Sequence, residues 1–191
     1  FLCSRAVPRR RVRPDLPTFF LNNTGKVMTM SECYTVRVSK DYLGFNAAHF
    51  ITYAGNICER LHGHNYRVAA EVEGPLNENH YVIDFIWLRD TLMELVADLD
   101  HRVLLPTDHE TIRVTRSDQE IETTFDQRRW VFPRGDCVLL PLANTTSERL
   151  AWDLAGILTD RLAAHECTTW SRIRLEVDEN EGQVGIYEKS R

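Results

Sequence analysis

Three histidines and one cysteine share the stretch Phe45–Val72, FNAAHFITYAGNICERLHGHNYRVAAEV. Side chains alternate faces along a strand, so His62 and His64 project the same way if this is β structure, with Gly63 adding no bulk between them. Two imidazoles on one face, about 7 Å apart by strand rise, suit one metal ion. A third ligand comes from His49 if it lies on an adjacent antiparallel strand. Three protein ligands leave a position for water or substrate, as in catalytic zinc sites and unlike structural ones. Cys58 sits in a polar loop four residues before His62 and beside Arg60, surroundings that favour a thiolate.

Two further groups carry potential chemistry. Glu179 has the parity of Ile173, Leu175 and Val177, so its carboxylate projects from the face that otherwise enters the core. A buried carboxylate is costly without a partner, and a heterocycle with two parallel N–H donors supplies one. Asp100 and His101 follow a helix-like segment. On the residues alone, His101 there complements the helix dipole and Asp100 is a solvated turn residue.

The elements that must position these groups are legible as periodicities. Tyr34, Val36 and Val38 alternate with polar residues and lead through Tyr42 into Phe45, Ala47 and His49, which is strand one. The even positions from His62 to Val72 form strand two, ending near Gly74 and Pro75. Phe85, Leu88, Leu92, Leu95, Val96 and Leu99 fall at helical spacing behind Asp84 as N-cap. Between Pro106 and Asn144 the runs TIRV, EIETTF, RRWVFP and CVLLPL predict short strands in a hairpin-like region. A second helix opens at Thr145, with Glu148 three residues later in capping-box spacing, and continues through Leu150, Leu154, Leu158 and Leu162. The chain closes on a β-hairpin turning near Glu181 and Gly182. Strand, strand, helix, strands, helix, hairpin is not a βαβ repeat and predicts an α+β fold: an antiparallel sheet with helices on one face.

Composition bounds the rest. The 191 residues, 43% of them hydrophobic, suffice for one domain with a sizeable core. A net charge of −5 argues against a general nucleic-acid binder, and no apolar run approaches the length of a membrane span. The five cysteines are scattered without a C-x-x-C pair, which fits reduced thiols in the cytoplasm. Residues 1–29, arginine- and proline-rich, read as a disordered extension ahead of a single domain at 30–191 with an insertion at about 107–143. A transit peptide is the competing reading of the extension, but the segment lacks serine enrichment and an amphipathic pattern.

Taken in order, AAH, C-x-x-x-HGHNY, DF before a helix, LDH after it, TSE opening the second helix, and a glutamate-containing strand followed by tyrosine resemble the family of 6-pyruvoyl-tetrahydropterin and 6-carboxytetrahydropterin synthases. The resemblance spans roughly Cys33–Tyr187 apart from the insertion. It implies the tunnelling fold (T-fold), a four-stranded antiparallel sheet with two helices on one face, assembled as homotrimers or homohexamers. It implies Zn2+ on His49, His62 and His64, and catalysis by Cys58 with Asp100 and His101. It also implies a pterin triphosphate substrate anchored by Glu179 and contacted by Thr146, Ser147 and Glu148. The three-residue gap between Cys58 and His62 resembles the 6-carboxytetrahydropterin branch, which acts on 7,8-dihydroneopterin triphosphate and feeds 7-deazaguanine and queuosine synthesis. The pyruvoyl branch typically has a longer gap. An aldolase-like branch tends to have glutamate where this chain has Cys58, and here Glu59 stands beside it. A non-enzymatic zinc-binding interaction module is the reading from another class.

Overall fold

The computed structural model describes residues 32–54 and 57–191, preceded by the backbone of two short antiparallel strands, β1 (Phe19–Leu21) and β2 (Val27–Thr29). The chain divides into two units between Glu32 and Cys33. Apart from β1 and β2, the extension expected over residues 1–29 lies outside the described residues.

The second unit begins with β3 (Tyr34–His49), a ribbon of β4 (Thr52–Tyr53) and β5 (Ile57–Cys58), β6 (His62–Gly74), and α1 (Phe85–Ala97). It continues with β7 (Arg102–Pro106), β8 (Arg113–Arg116), β9 (Glu120–Phe125), β10 (Arg128–Pro133) and β11 (Cys137–Leu140). It ends with α2 (Ser147–Ala164), β12 (Arg172–Asp178) and β13 (Val184–Ser190). One sheet organises it, in the order β11-β7-β3-β6-β12-β13. The last four strands in that order are mutually antiparallel, as the resemblance implied. Beyond them β7 and β11 extend the sheet in parallel. Helix α1 carries the chain back along the sheet, so β7 starts beside the end of β3 and pairs only with Ala47 and Ala48.

Both helices pack on one face. Leu88, Leu92 and Leu95 of α1 and Leu150, Leu154 and Leu158 of α2 join Tyr66, Val68, Val72, Ile173, Leu175 and Val177 in one core. The opposite face is charged: Arg37 pairs with Glu71 and with Glu176, each at 2.7 Å. Strand β3 changes parity along its length. Val36 and Val38 face the core before the register shift between Ser39 and Gly44, and Phe45, Ala47 and His49 face it afterwards. A bulge adds a residue to one strand and so reverses which positions point inward. Gly44 makes the bulge possible, because a Cβ there would stand 2.5 Å from the carbonyl oxygen of Tyr66. The shift is what brings His49 onto the face of His62 and His64.

The caps follow local chemistry. Asp84 Oδ1 accepts from the amides of Ile86 and Trp87 at 2.6 and 3.2 Å and starts α1. The second helix starts one residue later than the capping-box spacing predicts: Thr146 is the N-cap, accepting from the Arg149 amide at 3.4 Å. Thr145 is fully buried, with its hydroxyl directed at the Phe50 carbonyl, and cannot serve. Glu148 is thereby exposed within the first turn.

The region 107–143 goes beyond a hairpin. Strands β8, β9 and β10 form an antiparallel meander, while the fourth run leaves it to pair with β7 as β11. The meander has its own small core, in which Ile112, Ile121 and Phe125 pack with Phe50 and Leu105, flanked by Trp130, Phe132 and Cys58.

Candidate active site

His49, His62 and His64 converge where the ends of β3 and β6 pair, His49 opposite His62. One ring nitrogen from each lies within 4.8 Å of the others. Their orientations are set from behind. His49 Nδ1 lies 2.9 Å from the Thr145 carbonyl oxygen, and His62 Nδ1 lies 2.9 Å from that of Arg60. A carbonyl only accepts, so each Nδ1 carries the proton and each Nε2 keeps its lone pair for a cation. His49 is 1% exposed, and burial pushes its imidazolium down to about 4, against the opposing pull of the Thr145 carbonyl. The ligand nearest the core is therefore neutral at physiological pH. Three imidazoles whose ring nitrogens come this close fit a borderline cation of the zinc type.

Glu179 follows β12 and sends its carboxylate to the same place. Its Oε1 stands 3.3 Å from His49 Nε2 and 3.8 Å from His64 Nε2, and it accepts from the Tyr66 hydroxyl at 3.4 Å. Tyr66 is 1% exposed, and burial, with the charge of Glu179, raises its phenol well above the ordinary value. It stays a donor and holds the carboxylate toward the histidines. A cavity opens there between Gly63, His64, Asn65 and Arg67 on one side and Asp178 to Glu181 on the other.

Cys58 and Glu59 follow one another on the adjoining loop. The half-buried Cys58 Sγ lies 3.4 Å from the Glu59 carbonyl oxygen. Burial raises its thiol above the ordinary value; Arg128 opposes this, and the carboxylates of Glu59 and Asp126 reinforce it. The cation beside the thiol is thus Arg128 of the insertion, not the adjacent Arg60 that the sequence pointed to, whose carbonyl instead holds His62. Glu59 Oε2 lies 4.0 Å from His62 Nε2.

Asp100 and His101 form a unit of their own. Their side chains meet at 2.8 Å, and Asp100 Oδ1 accepts the Asn46 amide at 2.7 Å. That bond and the His101 partner hold the Asp100 carboxyl below its usual range. His101 adopts a left-handed backbone (φ 57°), donates its amide to the Asn46 carbonyl, and leaves its ring 78% exposed. It lines a cavity with Asn46, Ala48, His64, Asn65 and Asp136. Among the described residues, no hydrogen bond or ion pair joins Asp100 or His101 to Cys58. The same holds between Thr146, Ser147 or Glu148 and the histidines. It is the neighbouring Thr145 that reaches them. Thr145, Tyr66 and Arg128 are the residues that sequence reasoning missed as parts of the site; only Tyr66 carried a signal, sharing the parity of His62 and His64.

Comparison with known proteins bears on the family. Residues 37–190 match the family described as 6-pyruvoyl tetrahydropterin synthase. A Methanocaldococcus jannaschii protein provisionally named 6-carboxy-5,6,7,8-tetrahydropterin synthase is 30% identical over 148 residues, 77% of this chain and 90% of its own. A Pyrococcus horikoshii protein with the same provisional name is 30% identical over 138 residues, 71% of this chain and 80% of its own. Among solved structures, Plasmodium falciparum 6-pyruvoyl tetrahydropterin synthase superposes with a TM-score of 0.77 at 29% identity, covering 83% of this chain and 99% of that one. The Plasmodium vivax enzyme gives 0.78 at 25% identity, covering 84% of this chain and 100% of that one. Its structure is of a variant in which a catalytic glutamate is replaced by alanine. With its histidine cluster, its T-fold sheet and these matches together, the chain belongs to the 6-pyruvoyl tetrahydropterin synthase family.

Proposed function

We propose that this protein is a zinc-dependent 6-carboxy-5,6,7,8-tetrahydropterin synthase. It converts 7,8-dihydroneopterin triphosphate and one water to 6-carboxytetrahydropterin, acetaldehyde and triphosphate, feeding 7-deazaguanine and queuosine synthesis in the cytoplasm. The observation that carries the reading is the cluster of His49, His62 and His64 with the Glu179 carboxylate 3.3 Å from His49 Nε2. The provisional names of the archaeal relatives and the short gap between Cys58 and His62 favour the carboxy branch.

Zinc held by the three imidazoles would polarise the oxygens of the substrate side chain and so acidify the adjacent hydroxyl and C–H groups. Glu179 receives the ring N–H and 2-amino group of the pterin as a pair and fixes the ring. Cys58 takes the proton released from the side chain. Asp100 keeps one tautomer of His101 in place through the 2.8 Å contact, so that His101 passes protons as general acid and base. Because no hydrogen bond or ion pair links this pair to Cys58 among the described residues, we assign it to the site of a neighbouring copy in a homotrimer or homohexamer. Thr146, Ser147 and Glu148 complete the substrate-contacting rim.

A second reading rests on Glu59. Its carboxylate lies 4.0 Å from His62 Nε2, while burial raises the Cys58 thiol above its ordinary value. A carboxylate base there fits aldolase-like cleavage of dihydroneopterin. Mass spectrometry of products from zinc-loaded protein and 7,8-dihydroneopterin triphosphate, with Cys58→Ala and Glu59→Gln beside the parent, separates the readings. Formation of 6-carboxytetrahydropterin, lost in Cys58→Ala, supports the first. A 6-pyruvoyl product moves the protein to the pyruvoyl branch. Cleavage of free dihydroneopterin that is lost only in Glu59→Gln establishes the second.

A further inference from the structure

The loop that carries Cys58 and Glu59 is too short to hold itself. Strands β4 and β5 pair only Thr52 with Cys58 and Tyr53 with Ile57. An isolated ribbon is marginal in water even at greater length. Its fastenings come from outside, and most belong to the 107–143 insertion or its end. Arg128 Nη1 donates to the Cys58 carbonyl at 2.8 Å and its Nη2 to the Glu59 carbonyl at 2.6 Å. On the other strand, Asn144 Nδ2 donates to the Thr52 carbonyl at 2.9 Å. His109 Nδ1 accepts from the amide of Ile112 at 3.0 Å, which puts its proton on Nε2, and Nε2 donates to Thr52 Oγ1 at 2.7 Å.

The Arg128 fork is itself held. Its guanidinium lies over the Trp130 ring at 4.6 Å, and Trp130 stacks on Phe50, also at 4.6 Å. Phe50 is fully buried and follows His49 directly. One rigid stack therefore runs from the meander to the residue beside a candidate metal ligand, with the fork resting on top. The neighbouring Arg129 shows the contrast: it is 63% exposed and, among the described residues, its side chain pairs with Glu122 on the surface.

We infer that Arg128 is a positioning residue: its bidentate grip on the carbonyls of Cys58 and Glu59 makes the inserted meander the clamp that sets the reactive loop against the histidine cluster. A guanidinium spans two adjacent carbonyls because its donors form a fixed fork; an ammonium reaches one. This inference rests on the reading of Cys58 or Glu59 as the proton-moving group. It extends that reading by giving the insertion a task in the reaction.

The test uses the full zinc-loaded chain and two readouts: amide hydrogen exchange over residues 51–59, and kcat and KM on 7,8-dihydroneopterin triphosphate. The Glu59 amide, bonded to the Ile51 carbonyl at 2.9 Å, closes this loop and reports its order. In Arg128→Ala, exchange over 51–59 is expected to quicken at least tenfold, and kcat to fall about tenfold with KM within twofold. In Arg128→Lys, exchange is expected to be about threefold faster and part of kcat to return, whereas Arg129→Ala matches the parent throughout. Parent-like exchange and kcat in Arg128→Lys overturn the two-carbonyl clamp even if Arg128→Ala does not fold, and equal losses in Arg129→Ala overturn it as well. Exchange needs no turnover. A parent inactive on the pterin therefore overturns the functional reading while the exchange result still decides the clamp.

Discussion

The carbonyl oxygen of Thr145 stands 2.9 Å from His49 Nδ1, so the residue preceding the N-cap of α2 dictates which nitrogen of a buried imidazole faces its two partners. The loop before a helix thus serves as the outer support of the site. Removing His49 strips a hydrogen bond from a buried carbonyl as well as a ligand.

His49→Ala should therefore cost stability as well as metal: about 2–4 kcal/mol in denaturant unfolding, from the cavity and the unpaired carbonyl together. His62→Ala, whose side chain is 39% exposed, should unfold within about 1 kcal/mol of the parent. Both should lose bound zinc by elemental analysis. Equal stability losses in the two would contradict the division of roles.

Chelation should leave a folded but inactive protein, because the sheet and both helices are held by one apolar core of their own. Far-UV circular dichroism should be unchanged after metal removal, and activity should return on adding zinc. Loss of the sheet signal on chelation would instead mark a structural metal and favour an interaction module.

The Cys58 thiol is raised by burial, so alkylation at this residue should climb with pH and stay below half its plateau rate at pH 8.5. Glu59 raises the thiol further, so Glu59→Gln should move the midpoint downward and speed alkylation at pH 8. Peptide mapping after brief iodoacetamide treatment measures both. A midpoint near 7 in the parent would show an activated thiolate in the free protein and refute this electrostatic account.

Gly44→Ala should be damaging out of proportion to its size. The added Cβ meets the Tyr66 carbonyl oxygen at 2.5 Å, and relief requires backbone movement at the bulge that orients His49. We expect about 1–3 kcal/mol of destabilisation and weakened metal binding. Ala at Gly156, where nothing lies within 4 Å, is the control and should be neutral or slightly stabilising.

Much of this was legible beforehand, for identifiable reasons. The alternation of Tyr66, Val68, Ala70 and Val72 on β6 and the 3.6-residue spacing of Leu88, Leu92 and Leu95 are direct prints of burial on one face. The three histidines could be grouped because two sit at i and i+2 on one strand. What stayed hidden depends on contacts across long separations. Arg128 reaches Cys58 over seventy positions, and no local pattern encodes that. The start of α2 shifted by one because Thr145 is drawn into the core, a tertiary demand that outweighs capping-box spacing. The parallel pairing of β7 and β11 went unforeseen because it follows from where a helix or meander returns the chain, not from the residues of the strand itself.

The assignment of Asp100 and His101 to a neighbouring copy's site has a genetic consequence. If each working centre draws its thiol from one copy and its histidine from another, two alleles that are each dead can rescue one another. Chains carrying Cys58→Ala and chains carrying His101→Ala, co-expressed in equal amounts, would place intact halves together in about a quarter of the centres. Activity in that mixture, absent from either variant alone, would reveal a centre shared between chains. A heterozygote for two null alleles would then survive where both homozygotes fail.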